Sequence, residues 1–187
     1  MKSEQIKSIA KEIENVERQM DWGGMTIAYG LKKFTYGSSS FLDTIYNNIS
    51  LNENDTFYDL GCGYGLVLWY GAQRFPNTQF KGIEIVRERC EFAEELAKRD
   101  NLKNINIFQG DLLQQDISDG NIFYIYNSLY SDLYTELVKK LKAIASQKVI
   151  TIIAESSSKF FDKESWLIEQ CEFELSPISS LKIYKSK

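Results

Sequence analysis

The sequence predicts a doubly wound α/β domain. Three observations carry that expectation. From residue 55 onward, short β-rich apolar runs alternate with longer helical ones; three of the runs are almost continuously apolar; and the first of them ends in a cluster of glycines. Strands that are apolar on both faces belong in a parallel sheet covered by helices. A βαβα order with right-handed crossovers supplies those helices.

The elements follow in order. Ile6, Ile9, Ile13, Val16 and Met20 repeat at helical spacing among Lys, Glu, Gln and Asn, which predicts an N-terminal amphipathic helix. Asp21 to Gly24 should stop it, because adjacent glycines favour a turn over a helix. Its apolar stripe can dock on the main core, close over a site as a lid, or form a dimer contact through a short heptad seam. A second helix near 39–50 rests on Phe41, Leu42, Ile45 and Ile49, with Ser38 or Ser39 as its cap. TFYDL (56–60), FKGIEI (80–85), INIFQ (105–109), NIFYIYN (121–127) and KVITIIA (148–154) read as strands. Helices are expected at 65–75, 87–100 and 131–145 between them. Two late strands, 171–175 and 180–185, should be joined by a turn around Ser176 and Pro177. The expected organisation is a helical extension over 1–29 and one domain over 30–187.

Composition narrows the chemistry. A chain of 187 residues with 43% apolar and 26% charged residues can bury one core and is not disordered. Lys+Arg 22 against Asp+Glu 26 gives 22 − 26 = −4, so no global positive field recruits nucleic acid. With no histidine, the Ser-His and Cys-His nucleophile pairs, the usual zinc ligand and the commonest general base are all absent. Cys62, Cys90 and Cys171 are odd in number and far apart, which points to neither a disulfide framework nor a metal site and fits a reducing cytoplasm. The N-terminus is charged throughout, and no apolar run approaches the ~18 residues of a membrane span, so no membrane association is expected.

The strongest chemical signal is FYDLGCGYG at 57–65, where an apolar strand runs into Gly61, Gly63 and Gly65 and then into a helix. Strand, glycine turn and helix bring a nucleotide cofactor against the main chain. A dinucleotide fingerprint would place its third glycine at 66, which is Leu66 here. Asp59 also sets a carboxylate where a diphosphate would be repelled by about a kcal/mol or more. The same acid suits a cation. S-adenosylmethionine carries a sulfonium and an ammonium and no phosphate, so Asp59 can orient its amino-acid end through charge-assisted hydrogen bonds. Glu84 ends the next strand close to the ~20-residue offset at which a carboxylate meets a ribose diol, and its two oxygens can accept both hydroxyls. The third strand ends in Gln109-Gly110-Asp111-Leu112. There Asp111 can accept from an adenine amino group while Ile85 and Leu112 cover the ring faces. Taken singly, each acid reads equally as a solvated turn residue or a helix cap; three successive strand ends supplying three acids mark a site.

With FYDLGCGYG, GIEI (82–85) and QGDL (109–112) as successive motifs, the chain resembles the class I, Rossmann-like S-adenosylmethionine-dependent methyltransferases over about residues 30–187. The resemblance implies a seven-stranded doubly wound sheet whose last strand is antiparallel, and S-adenosyl-L-methionine as cofactor. Upstream, FTYGSSSFLDTIYNNISLNENDTFYDLGCGYGLVL is similar to the non-SET histone-lysine methyltransferases of the disruptor of telomeric silencing type, and to small prokaryotic lysine methyltransferases with the same core. Tyr36 and Gly37 match that family's Tyr-Gly-Glu segment, with Ser38 in place of the glutamate; Leu66 stands where a glutamine commonly follows the last glycine. IFYIYNSLY matches its fourth-strand motif, with Asn127 in the asparagine position. The implied cofactor-binding set is Tyr36, Gly37, Asp59, Gly61, Cys62, Gly63, Gly65, Glu84, Ile85, Asp111, Leu112 and Asn127. The implied methyl-transfer centre is Asn127, with Tyr126 and Tyr130 as the acceptor wall.

An asparagine amide offers donor and acceptor without charge. It is equally an ordinary strand-end turn residue, and the tyrosines are equally available for packing in a chain with 11 of them. Strand alternation places Tyr124 and Tyr126 on one face and Ile125 and Asn127 on the other. The reaction implied is an in-line displacement, in which the enzyme aligns nucleophile and methyl at ~3 Å and excludes water. An aromatic channel that lowers the pKa of an incoming amine makes the missing histidine no obstacle. An adenine N6-methyltransferase would show an Asp/Asn-Pro-Pro-aromatic loop, and Asn127-Ser128-Leu129-Tyr130 has no proline. The expected function is methylation of lysine on a protein substrate, without a metal and without nucleic acid. The alternatives are a small-molecule methyltransferase and a cofactor-binding scaffold that interacts through its N-terminal helix.

Overall fold

The apolar runs become strands β1 (Thr56–Leu60), β2 (Gln79–Glu84), β3 (Ile105–Gln109), β4 (Ile122–Tyr126) and β5 (Thr151–Glu155), followed by β6 (Leu167–Ser176) and β7 (Ser179–Ser186). This computed structural model describes residues 2–20, 40–177 and 179–187. Tyr36, Gly37, the Ser38 or Ser39 cap and the Asp21–Gly24 helix stop lie outside the described residues. The strands form one seven-stranded sheet in the order β3-β2-β1-β4-β5-β7-β6. Pairing is parallel from β3 through β5, and β7 runs antiparallel to both β5 and β6. This is the doubly wound, Rossmann-like sheet with its antiparallel last strand.

Among the described residues the helices are α1 (Lys2–Gln19), α2 (Ser40–Asn47), α3 (Leu66–Arg74), α4 (Arg87–Arg99) and α5 (Tyr134–Ala145), with a single 3-10 turn at Ser158–Phe160. The chain divides into two compact units, Met1–Asp43 and Thr44–Lys187. Within the first, α1 buries Ile6, Ile9 and Ile13 and leaves Val16 and Met20 half-buried, as the helical spacing predicts. No helix among the described residues is long and apolar enough to cross a membrane.

In the second unit, alternation along β1 serves both sheet faces. Tyr58 and Leu60 join Phe123 and Ile125 of β4, Ile152 and Ala154 of β5, and Leu137 and Leu141 of α5 in one apolar cluster. Phe57 packs instead with Phe80 of β2 and Tyr46 of α2, at ring-centroid distances of 5.4 and 5.7 Å. Tyr46 O–H donates to the Val67 carbonyl at 2.8 Å and ties α2 to α3. Each fully buried Leu or Phe contributes about 1.5–3 kcal/mol, so these layers hold the strand ends in place.

Two strands depart most from the sequence expectation. β5 begins at Thr151 rather than 148, because the Gln147 and Lys148 amides still donate to the Ile144 carbonyl at the end of α5, and Val149 is exposed. It ends at Glu155, one residue beyond the expected stop. β6 begins at Leu167 rather than 171: it is an edge strand, its side chains are mostly exposed, and an apolar pattern does not mark it. Because five strands are parallel, the turns that follow β1 to β5 all emerge at one edge of the sheet, where ligands of such folds bind.

Candidate active site

β1 ends where Gly61 leaves the extended region at φ +91°, and Gly65 follows at φ +70° as the N-cap of α3. Both need glycine for a second reason. A Cβ on Gly61 would lie 2.5 Å from the Ser128 Cβ, and one on Gly65 would lie 2.9 Å from the Ala93 Cβ. The turn after β4 therefore packs directly on the glycine loop, which brings Asn127 beside it. Gly61 and Cys62 N–H both donate to the Ile83 carbonyl at 2.9 Å. Gly63 N–H donates to Glu84 Oε2 at 2.9 Å, and Gly65 N–H to the Cys62 carbonyl at 2.8 Å. These four amides are satisfied within the protein, so they do not form the free N–H nest that a diphosphate requires.

The acids of the three strand ends stand in different states. Asp59 is 2% exposed, and no donor among the described residues hydrogen-bonds its carboxylate. Burial first, then the charges of Glu84 and Glu155, hold it well above the usual carboxylate range. An unpartnered buried carboxylate is costly and is relieved by a cation. Among the described residues no cluster of His, Cys, Asp or Glu is arranged to hold a metal ion. An organic cation without phosphate, such as S-adenosylmethionine, fits this donor set.

Glu84 is buried at the end of β2, where Oε2 accepts from Gly63 and Oε1 accepts from the Ile85 and Val86 amides, all at 2.9 Å. A carboxylate has about four acceptor positions. Three are taken, so this conformation offers one to a ribose hydroxyl rather than both oxygens to the diol, and the sequence expectation is corrected accordingly. Asp111 is exposed; its Oδ1 accepts from Leu113 N–H at 2.9 Å, which makes it the cap of the following turn and leaves the other oxygen open. That turn points Leu112 inward, 6% exposed, into the cluster with Ile83 and Ile117. Leu112 is a core residue here, whereas Ile85 is half-buried. The Cys62 thiol is buried, and burial together with Asp59 and Glu84 pushes it up, so it stays protonated and packs against Gly82.

At the end of β4, Tyr126 is 39% exposed and Tyr130 55% exposed, on either side of an exposed Asn127 at φ +45°. Tyr124, one step down the same face, is buried and donates its hydroxyl to Glu155 Oε2 at 2.5 Å. Burial raises the Tyr124 phenol and the Glu155 carboxyl alike. Sequence reasoning missed this pair. Its signal was a fourth acid directly after the run KVITIIA, lost because that strand was drawn to stop at Ala154. A shallow groove of about 690 Å³, lined by residues including Ser156, Lys159, Glu172 and Glu174, lies elsewhere. Glu172 pairs through Lys182 to Ala154, which places the groove on the α5 side of the sheet, opposite Asp59 and Glu155.

Comparison with known proteins matches residues 29–123 to the family described as histone methylation protein DOT1. An (S)-coclaurine N-methyltransferase from Thalictrum flavum subsp. glaucum is 22% identical over 139 residues, 70% of this chain and 38% of the relative. A protein-lysine N-methyltransferase from Saccharolobus islandicus (strain REY15A) is 28% identical over 95 residues, 49% of this chain and 59% of the relative. The chain thus spans less than two thirds of the length of these curated relatives. The crystal structure of an RNA methyltransferase from Salinibacter ruber, solved with S-adenosyl-L-homocysteine, superposes with a TM-score of 0.66 at 20% identity, covering 81% of this chain and 94% of that one.

Proposed function

This chain belongs to the histone methylation protein DOT1 family, and from that premise we propose that it is an S-adenosylmethionine-dependent methyltransferase whose acceptor is a lysine side chain on a protein. The observation that carries the reading is the packing of Ser128 on Gly61, which sets Asn127 and its flanking tyrosines against a glycine loop whose amides are closed to phosphate.

When bound, S-adenosylmethionine supplies a methyl group on a cationic sulfur. Asp59 holds the cationic amino-acid end, Glu84 accepts from a ribose hydroxyl, and the free Asp111 oxygen accepts from the adenine amino group beside Ile85. The Gly61–Gly65 turn and Cys62 shape the cradle, and the family resemblance assigns Tyr36 and Gly37 to the same cofactor. Asn127 orients the incoming amine through its neutral amide, while Tyr126 and Tyr130 wall the approach and exclude water. A protein acceptor is favoured over an adenine by the absence of a proline loop at Asn127-Ser128-Leu129-Tyr130 and by the net charge of −4. Free thiols at Cys62, Cys90 and Cys171 accord with work in a reducing cytoplasm.

The test is incubation with methyl-labelled cofactor and a whole-proteome extract, followed by separate protease and nuclease digestion. Label in a nuclease-resistant, protease-sensitive product, placed on lysine by mass spectrometry, is the expected outcome. Label only on a small molecule or on nucleic acid refutes the acceptor and keeps the methyltransferase.

A further inference from the structure

Asp59, Glu84 and Asp111 lead from β1 outward to β2 and β3, so a cofactor held by them leaves the ends of β4 and β5, on the other side of β1, for the acceptor. Tyr124, Tyr126 and Glu155 stand there on the Asp59 side of the sheet. Asp59 is in register with Tyr124 and Tyr126 with Glu155, and residues paired across parallel strands share a face. Glu155 is 8% exposed and its one described side-chain partner is the Tyr124 hydroxyl. No lysine or arginine among the described residues pairs with Glu155 or with Asp59. The Asp59 carboxylate, nine-tenths buried and more, has no donor among them at all. Two buried acids on one sheet face without a cation among the described residues leave one of them unpaired after a single cationic cofactor end is bound. Tyr126, in register with Glu155, is 39% exposed.

We infer that Glu155, oriented by the Tyr124 hydroxyl, is the acid that receives the acceptor: it binds the lysine ammonium and takes its proton. The inference rests on the lysine reading above. An ammonium N–H bond breaks, a Glu155 O–H bond forms, and the nitrogen keeps the electron pair. That pair makes the new N–CH3 bond as the S–CH3 pair returns to sulfur, and Glu155 then releases its proton to solvent past Tyr126. Burial lifts the Glu155 carboxyl above its ordinary range against the pull of Tyr124, the direction a base working near neutral pH requires. The titratable groups facing it among the described residues are Tyr124 and Tyr126 from β4 and Asp59 from β1; β7 contributes Leu181, which does not titrate.

The experiment compares wild type with Glu155→Gln in three measurements. S-adenosylhomocysteine affinity by calorimetry should stay within about twofold, because Asp59, Glu84 and Asp111 remain. The initial rate of lysine labelling in the extract at neutral pH should fall about 100-fold or more, the usual range for a lost general base. The wild-type rate should level off as pH rises, while the variant should climb about tenfold per pH unit toward the lysine pKa of ~10.4. Tyr124→Phe, which removes only the O–H donor, should move the wild-type limb to higher pH, and it carries the test if Glu155→Gln does not fold. A wild-type lysine product with unchanged rate and pH profile in both variants overturns the role of Glu155 alone. Absence of any lysine product from the wild-type chain removes the acceptor reading and this inference together.

Discussion

Replacing Glu84 by alanine takes the acceptor away from three main-chain amides at once, those of Gly63, Ile85 and Val86. A hydrogen bond to a charged acceptor contributes about 1.5–3 kcal/mol, and a buried donor left without a partner loses that and its hydration. Ile85 N–H is only part-buried, so water can replace its partner. Gly63 and Val86 N–H are buried, and these two set the loss at about 3 kcal/mol or more. In a domain of this size 1 kcal/mol moves Tm by about 2–4 °C, so Glu84→Ala should melt about 6–12 °C below wild type. The assay is urea and thermal unfolding without any cofactor, followed by a cofactor titration of the folded fraction. The ligand-free measurement is the decisive one. A carboxylate that served only a ribose would leave it unchanged, so a cofactor-free variant within about 0.5 kcal/mol of wild type refutes the claim that Glu84 builds the loop.

Asp59→Asn should raise ligand-free stability at neutral pH while weakening cofactor binding. The folded state holds Asp59 above its unfolded value, so its contribution is present below the unfolded pKa and is lost as pH rises through the folded one. Melting curves on both sides of that window check the sign, and a lower neutral-pH Tm for the variant contradicts it. Gly61→Ala forces an L side chain to φ +91° and pushes Ser128 away. A left-handed residue costs about 1–2 kcal/mol and the displaced neighbour about 1–3, so urea unfolding should register at least ~2 kcal/mol, together with weaker cofactor binding. Asn127→Gly keeps the φ +45° turn but removes the amide. Its Tm should stay close to wild type while turnover falls tenfold or more, and full turnover would move the methyl-transfer centre elsewhere.

Local pattern alone determined most of the scaffold. TFYDL and INIFQ are strands over the residues expected, because a short β-rich run bounded by turn formers has few other ways to bury itself. The glycine loop was legible for the same reason: Gly61 and Gly65 adopt positive φ, a requirement written into residue type. The three strand-end acids were legible by spacing. What each acid does was not. Whether Glu84 turns its oxygens to a ligand or to Gly63 depends on where the β1 loop lies against β2, a contact between segments far apart in sequence. Leu112 went to the core because the Asp111 cap turned it there. Glu155 met Tyr124 only because β4 and β5 pair in parallel across the α5 crossover, which sets residues 31 apart in sequence side by side. Residue type and periodicity act over a few positions and therefore determine elements; burial, pairing and the field at a carboxylate come from neighbours that only the folded sheet brings together.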